Sequence, residues 1–89
     1  MEINFNEDYL QQAHKASFQN QEQIQKSNLC GCFYCEKIFN ANLVDNWVND
    51  KEAKTAICPY CGIDSVLGDA SDYEITERFL HAMRKEFFW

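Results

Sequence analysis

Eighty-nine residues, 25% charged and 15% aromatic, are the material of one small domain, too short to bury a large core without some internal staple. The formal net charge is −6, with fourteen Asp and Glu against eight dispersed Lys and Arg, which argues against a surface built to neutralise nucleic-acid phosphates. No apolar run approaches the roughly 18 residues a membrane span needs, and the acidic, polar start of the chain is unlike a secretory leader.

In chain order, Asn6 caps a first helix running to about Ser17, with Phe5 and Leu10 placed as a hydrophobic staple and Glu7 and Asp8 in the dipole-favoured first turn. Asn20-Gln21-Glu22-Gln23 has the spacing of a second capping box, which predicts a break near 18–20 and a short helix to about Ser27. Asn40 then caps a predicted central helix carrying Leu43, Val44, Trp47 and Val48 on one stripe, followed by a polar turn at 49–52. Thr55-Ala56-Ile57 and Asp64 to Gly68 read as two strands that together resemble the hairpin of a zinc ribbon. A last helix shows Ile75, Phe79, Ala82, Met83 and Phe87 at helical period, with Ser71 to Glu74 and Thr76 as rival caps. Phe87-Phe88-Trp89 is expected to pack back on the domain or on a partner.

Two pairs with the same spacing, Cys32-Phe33-Tyr34-Cys35 and Cys58-Pro59-Tyr60-Cys61, stand 22 residues apart. Two residues between paired cysteines let both sulfurs of a tight turn meet one ion while backbone amides point at the thiolates, so two such turns make a closed four-sulfur zinc site. Gly62 follows the second pair, where the turn calls for positive φ. The predicted ligands are therefore Cys32, Cys35, Cys58 and Cys61, the predicted cofactor is Zn²⁺, and Cys30 is a small buried thiol beside the site, with an alternate ligand or a redox-responsive thiol as its other readings. Four thiolates and one divalent ion would add two negative charges, for roughly −8.

Other uses of these residues fit less well. A redox-active C-x-x-C wants a single pair at a helix start, whereas Gly62 and a strand follow the second pair and a matched first pair is available. Zinc hydrolysis or deamination needs an open coordination position and a nearby carboxylate base. His14 and His81 each fall in a predicted helix as surface or boundary residues, and no H-x-E precedes the P-C-x-x-C. No catalytic residue is assigned.

The strings Cys30-Gly31-Cys32-Phe33-Tyr34-Cys35, Thr55 to Val66 and Ile75 to Leu80 resemble a family of small bacterial proteins described as cytoplasmic or zinc-ribbon-like proteins of unknown function. The likeness runs from about Asn20 to the aromatic end and includes Phe39, Trp47 and Asp64; it departs at Glu74, where the family often has proline. It implies a cytoplasmic zinc-binding domain without a known activity.

The expectation is thus an α+β fold: a small zinc ribbon of two knuckles and a β-hairpin surrounded by N-terminal, central and C-terminal helices. Residues 1–28 form the helical arm, 30–68 the zinc-binding core and 74–89 the last helix. The expected role is non-enzymatic, through an unidentified protein partner and with no nucleic acid or membrane, an acidic inhibitor or adaptor being its sharper form. Tyr34, Tyr60 and Trp89 are the candidate anchors. A nucleic-acid-binding ribbon and a thiol redox or zinc-sensing protein are the alternatives.

Overall fold

The computed structural model describes residues 5–50 and 53–88. Helix α1 (Glu7–Ala16) begins as its sequence dictates: Asn6 is extended and its side chain accepts the Asp8 N–H at 2.7 Å, satisfying one of the donors a helix start leaves free. Leu10 and Ala13 are its buried residues, and Phe5 sits edge-on to Phe79 at 5.5 Å, pinning the helix entry to the core.

Helix α2 (Gln21–Gln25) is present, but its capping box is not. Asn20 occupies the cap position without capping. Its Nδ2 donates instead to the Val66 carbonyl at 2.7 Å, and its Oδ1 accepts the Ala56 N–H at 2.9 Å. Gln23 likewise reaches outward, donating to the Ala16 carbonyl at 3.0 Å and accepting the Gly68 N–H at 2.8 Å. The amide-rich stretch thereby supplies partners that flanking backbone groups need.

Five short antiparallel strands follow: β1 (Leu29–Cys32), β2 (Ile38–Asn40), β3 (Trp47–Asp50), β4 (Ala53–Ala56) and β5 (Val66–Gly68). They form a three-stranded sheet in the order β2-β1-β5 and a separate β3-β4 pair. The predicted central helix is replaced by a 3-10 turn (Ala41–Leu43) and by β3. Asn40 is extended, with no side-chain cap bond. The helical stripe required Leu43, Val44, Trp47 and Val48 to face one way; here Val44 is buried and Trp47 packs on the core, while Leu43 and Val48 face outward at 46% and 45% exposure. Strand alternation, a β-branched residue and a pairing partner in Ala53–Ala56 outweigh the helical pattern. Of the predicted polar turn, Asn49 and Asp50 belong to β3, and positions 51–52 lie outside the described residues.

The predicted ribbon hairpin is corrected as well. The strand entering the second cysteine pair joins β3, and the strand leaving it joins β1, so the two do not pair with each other.

Helix α3 (Glu77–Phe87) starts at Thr76, whose hydroxyl accepts the Phe79 N–H at 3.3 Å. Ser71, the rival cap, lies in a 3-10 turn (Asp69–Ser71) and donates to the Gly68 carbonyl. Alternation along β1 then divides the interior in two. Cys30 and Cys32 join Ile24, Phe39, Val44, Ala56, Cys58 and Val66 in one core. Gly31 faces the other way, toward α3, where a Cβ would come within 2.8 Å of Leu80. Only glycine admits the helix that closely. On that side Leu10, Ala13, Phe33, Leu67, Phe79, Leu80 and Met83 form the second core, with Phe87 and Phe88 packed against it. Two of the three closing aromatics therefore fold back as expected; Trp89 lies outside the described residues. Among the described residues, no helix is long and apolar enough to cross a membrane.

Candidate metal centre

The two cysteine turns are built alike. In the first, at the end of β1, the Cys32 N–H donates to the Lys37 carbonyl at 3.0 Å and the Cys32 carbonyl accepts the Glu36 N–H at 2.8 Å. In the second, after β4, the Cys58 N–H donates to the Ile63 carbonyl at 2.9 Å and its carbonyl accepts the Gly62 N–H at 3.0 Å. The residue after the second cysteine is left-handed in both turns, Glu36 at φ 63° and Gly62 at φ 76°. Backbone amides point at sulfur, from Tyr34 and Cys35 to Cys32 Sγ at 3.3 and 3.4 Å and from Tyr60 to Cys58 Sγ at 3.4 Å.

The turns face each other across the two sheets. Cys32, Cys35, Cys58 and Cys61 bring their four sulfurs within 4.8 Å of one another, an arrangement that could hold a metal ion. Cys32 and Cys61 approach to 3.6 Å, and Cys35 and Cys58 to 3.7 Å. A tetrahedral ion with metal–sulfur bonds of about 2.3 Å sets its ligands roughly 3.8 Å apart, so the cluster already has that scale.

Charge is unevenly distributed over the cluster. Burial alone would push the Cys32 thiol up. Hydrogen bonding from the Ser65 hydroxyl at 3.0 Å, from the Cys35 and Tyr34 amides and from Cys61 outweighs it, holding Cys32 below the ordinary thiol range. Burial raises Cys35 to about 11, aided by its neighbour Cys32, and raises Cys61 further. Cys32 is thus the sulfur the surroundings favour most as a thiolate, while burial favours the neutral thiol at Cys35 and Cys61, so a cation that binds there must displace their protons.

Cys30 is not part of the four-sulfur group. It is fully buried two residues along the same strand face, and burial beside the Asp69 carboxylate pushes it up to about 12. His14 packs on the Phe87 ring at 4.3 Å, and His81 is exposed with Nδ1 3.2 Å from Glu36. Neither histidine joins the sulfurs. Of the predicted anchors, Tyr60 is 55% exposed, whereas Tyr34 is half-covered, with the Arg84 guanidinium 4.6 Å over its ring and Phe88 edge-on at 5.0 Å.

No family model matches this chain, and neither a curated protein nor a solved structure matches it. The site is therefore read from its own chemistry. Ser65 and Glu36 are the contributors that sequence reasoning missed. Ser65 carries no spacing signal, whereas Glu36 could have been found by superposing the two turns, because it stands where Gly62 stands in the second.

Proposed function

We propose that Cys32, Cys35, Cys58 and Cys61 hold zinc and that the chain is a zinc-ribbon-like, non-enzymatic module acting through contact with another protein. The observation that carries this reading is the all-sulfur donor set itself. Four thiolates fill a tetrahedral shell and leave no position for water or substrate. Zinc, when bound, would tie the two cysteine turns together. The surrounding residues do the rest: the Tyr34, Cys35 and Tyr60 amides and the Ser65 hydroxyl stabilise negative sulfur. Free thiols in such number suit a reducing, cytoplasmic setting.

Protein contact is supported by the outer surface of the second turn. Tyr60 stands out at 55% exposure, with the Lys37 ammonium 5.2 Å from its ring centroid and Ile38 exposed at 39% on the neighbouring strand. An aromatic ring with an apolar neighbour is the usual anchor of an interface, and the net charge of −6 suits a basic-faced partner.

Two measurements test the proposal. Plasma mass spectrometry of protein purified without added metal is expected to find about one zinc per chain. Cys32→Ser should lose it and Cys30→Ser should keep it; equal loss in both would overturn the ligand set. A photo-crosslinking amino acid at position 60, in the native host, should give a discrete protein adduct that a crosslinker at the exposed Glu22 does not. The same adducts from both positions, or micromolar duplex binding that tightens as salt falls, would overturn the partner reading in favour of nonspecific contact or nucleic-acid recognition.

A further inference from the structure

Behind the first cysteine turn, on the face away from its sulfurs, lies a cleft of about 340 Å³. The end of α1, strand β4, the approach to β5 and the end of α3 enclose it, and it falls within the size range of small-ligand sites. Its walls are aromatic: Phe33 forms part of the buried core, Phe88 packs beside it at 5.8 Å between ring centroids, and Phe18 stands 59% exposed. Two opposite charges also line it, Lys15 in the last turn of α1 and Asp64 before β5, and both are exposed. The Lys15 and Asp64 side chains make no ion pair or hydrogen bond among the described residues, although acids outnumber bases fourteen to eight.

A buried polar group joins them. Thr55 is 3% exposed, and its Oγ1 accepts the Gln19 N–H at 2.8 Å, yet its own hydroxyl proton reaches no acceptor among the described residues. A hydroxyl that accepts one hydrogen bond can still donate another, so this group can give a hydrogen bond to something that enters the cleft. A lysine, a carboxylate, a hydroxyl and two accessible phenyl rings, with His14 and Ser17 beside them, are the complement of a particular chemistry.

We propose that this cleft binds a small aromatic α-amino acid, its ring against Phe18 and Phe88, its carboxylate at Lys15 and Thr55, and its ammonium at Asp64. Aromatic faces supply most of the contact area, and the two charges fix which end of the ligand lies where. Such a site is separate from the sulfur cluster, and its ligand touches none of the four cysteines.

The test is an amide-resolved NMR titration of the metal-loaded full chain with L-phenylalanine and L-tryptophan, alongside 3-phenylpropionate, phenethylamine and L-alanine. Saturable shifts around Phe18, Thr55 and Asp64, with a dissociation constant below about 1 mM, are expected for the aromatic amino acids and not for L-alanine. Lys15→Ala should weaken L-phenylalanine about tenfold while leaving phenethylamine unchanged, and Asp64→Asn should do so while leaving 3-phenylpropionate unchanged. Phe18→Ala, at an exposed position that the fold does not need, should weaken every aromatic probe. Absence of saturation up to about 10 mM, or affinities indifferent to Lys15→Ala and Phe18→Ala, would overturn the assignment.

Discussion

Substituting Asn20 separates two readings of one residue. As a helix cap, Asn20→Ser would be nearly silent, because serine and asparagine cap almost equally well, and Asn20→Ala would cost about 1 kcal/mol. As a cross-brace, both changes remove the same pair of bonds, since serine is too short to span from the Ala56 N–H to the Val66 carbonyl. Those bonds are 2.9 and 2.7 Å long, the residue is 3% exposed, and the strands they join, β4 and β5, share no ladder of their own. Each buried backbone group left unpaired costs about 1–3 kcal/mol, so Asn20→Ser should lose about 2–6 kcal/mol of a total that for small domains is about 5–15 kcal/mol. Urea unfolding followed by circular dichroism, with free metal buffered and the slope against denaturant unchanged, measures this directly. Asn20→Ser within about 0.5 kcal/mol of the parent would refute the brace and restore the cap.

The response to pH should differ in sign with and without metal. In the metal-free chain Cys30, Cys35 and Cys61 are raised above the ordinary thiol value, so their contribution is complete below about pH 8.5 and is lost as pH rises toward their folded values; Cys32, which is lowered, loses its share as pH falls. Metal loading must deprotonate all four ligands, which converts Cys35 and Cys61 to acid-labile groups and leaves only Cys30 as a raised thiol, so melting scans from pH 6 to 10 should show greater alkaline weakening in chelated protein, and equal alkaline loss in both forms would contradict this reading. The left-handed positions make a matched pair: Gly62→Ala should cost about 1 kcal/mol from backbone strain alone, since nothing lies within 4 Å of the added Cβ. Glu36→Gly should be neutral or stabilising by up to about 1 kcal/mol, its contact with His81 being exposed, and denaturation midpoints moving the other way in both variants would count against the equivalence of the two turns.

The site was more legible in the sequence than the fold around it. Paired cysteines announce themselves because the turn that aims two sulfurs at one point fixes their spacing, and the glycine after Cys61 follows from the same geometry. The helix starts at Asn6 and Thr76 were equally local decisions, each settled by one side-chain oxygen and one amide. What could not be read locally was pairing. Trp47 turns inward and Val48 outward because Ala53–Ala56 lies alongside, and a stretch of apolar residues at positions 43, 44, 47 and 48 fits a helix equally well until that partner is known. The strands on either side of the second cysteine pair misled because each has another partner: β4 closes a tighter hairpin with β3, Asp50 opposite Ala53, and β5 pairs with the more distant β1. Asn20 looked like a cap because its cap position is real; its side chain serves contacts 36 and 46 residues away, at a range no capping rule covers.

Cys32 and Phe33 are adjacent along the chain, yet they belong to opposite interiors, the first to the sulfur-containing core and the second to the core beneath α1 and α3. The peptide unit between them couples the two regions, alongside the contacts α3 itself makes to the first cysteine turn, Arg84 to the Tyr34 carbonyl and His81 to Glu36. Were the four sulfurs to hold an ion and then release it, the turn carrying Phe33 would be loosened, and the two helices would lose part of a wall of their packing. The stability of that helix pair would then rise with the free metal concentration around the protein, through the logarithm of its ratio to the dissociation constant. Amide protection in α1 would consequently read out the metal supply from across the molecule.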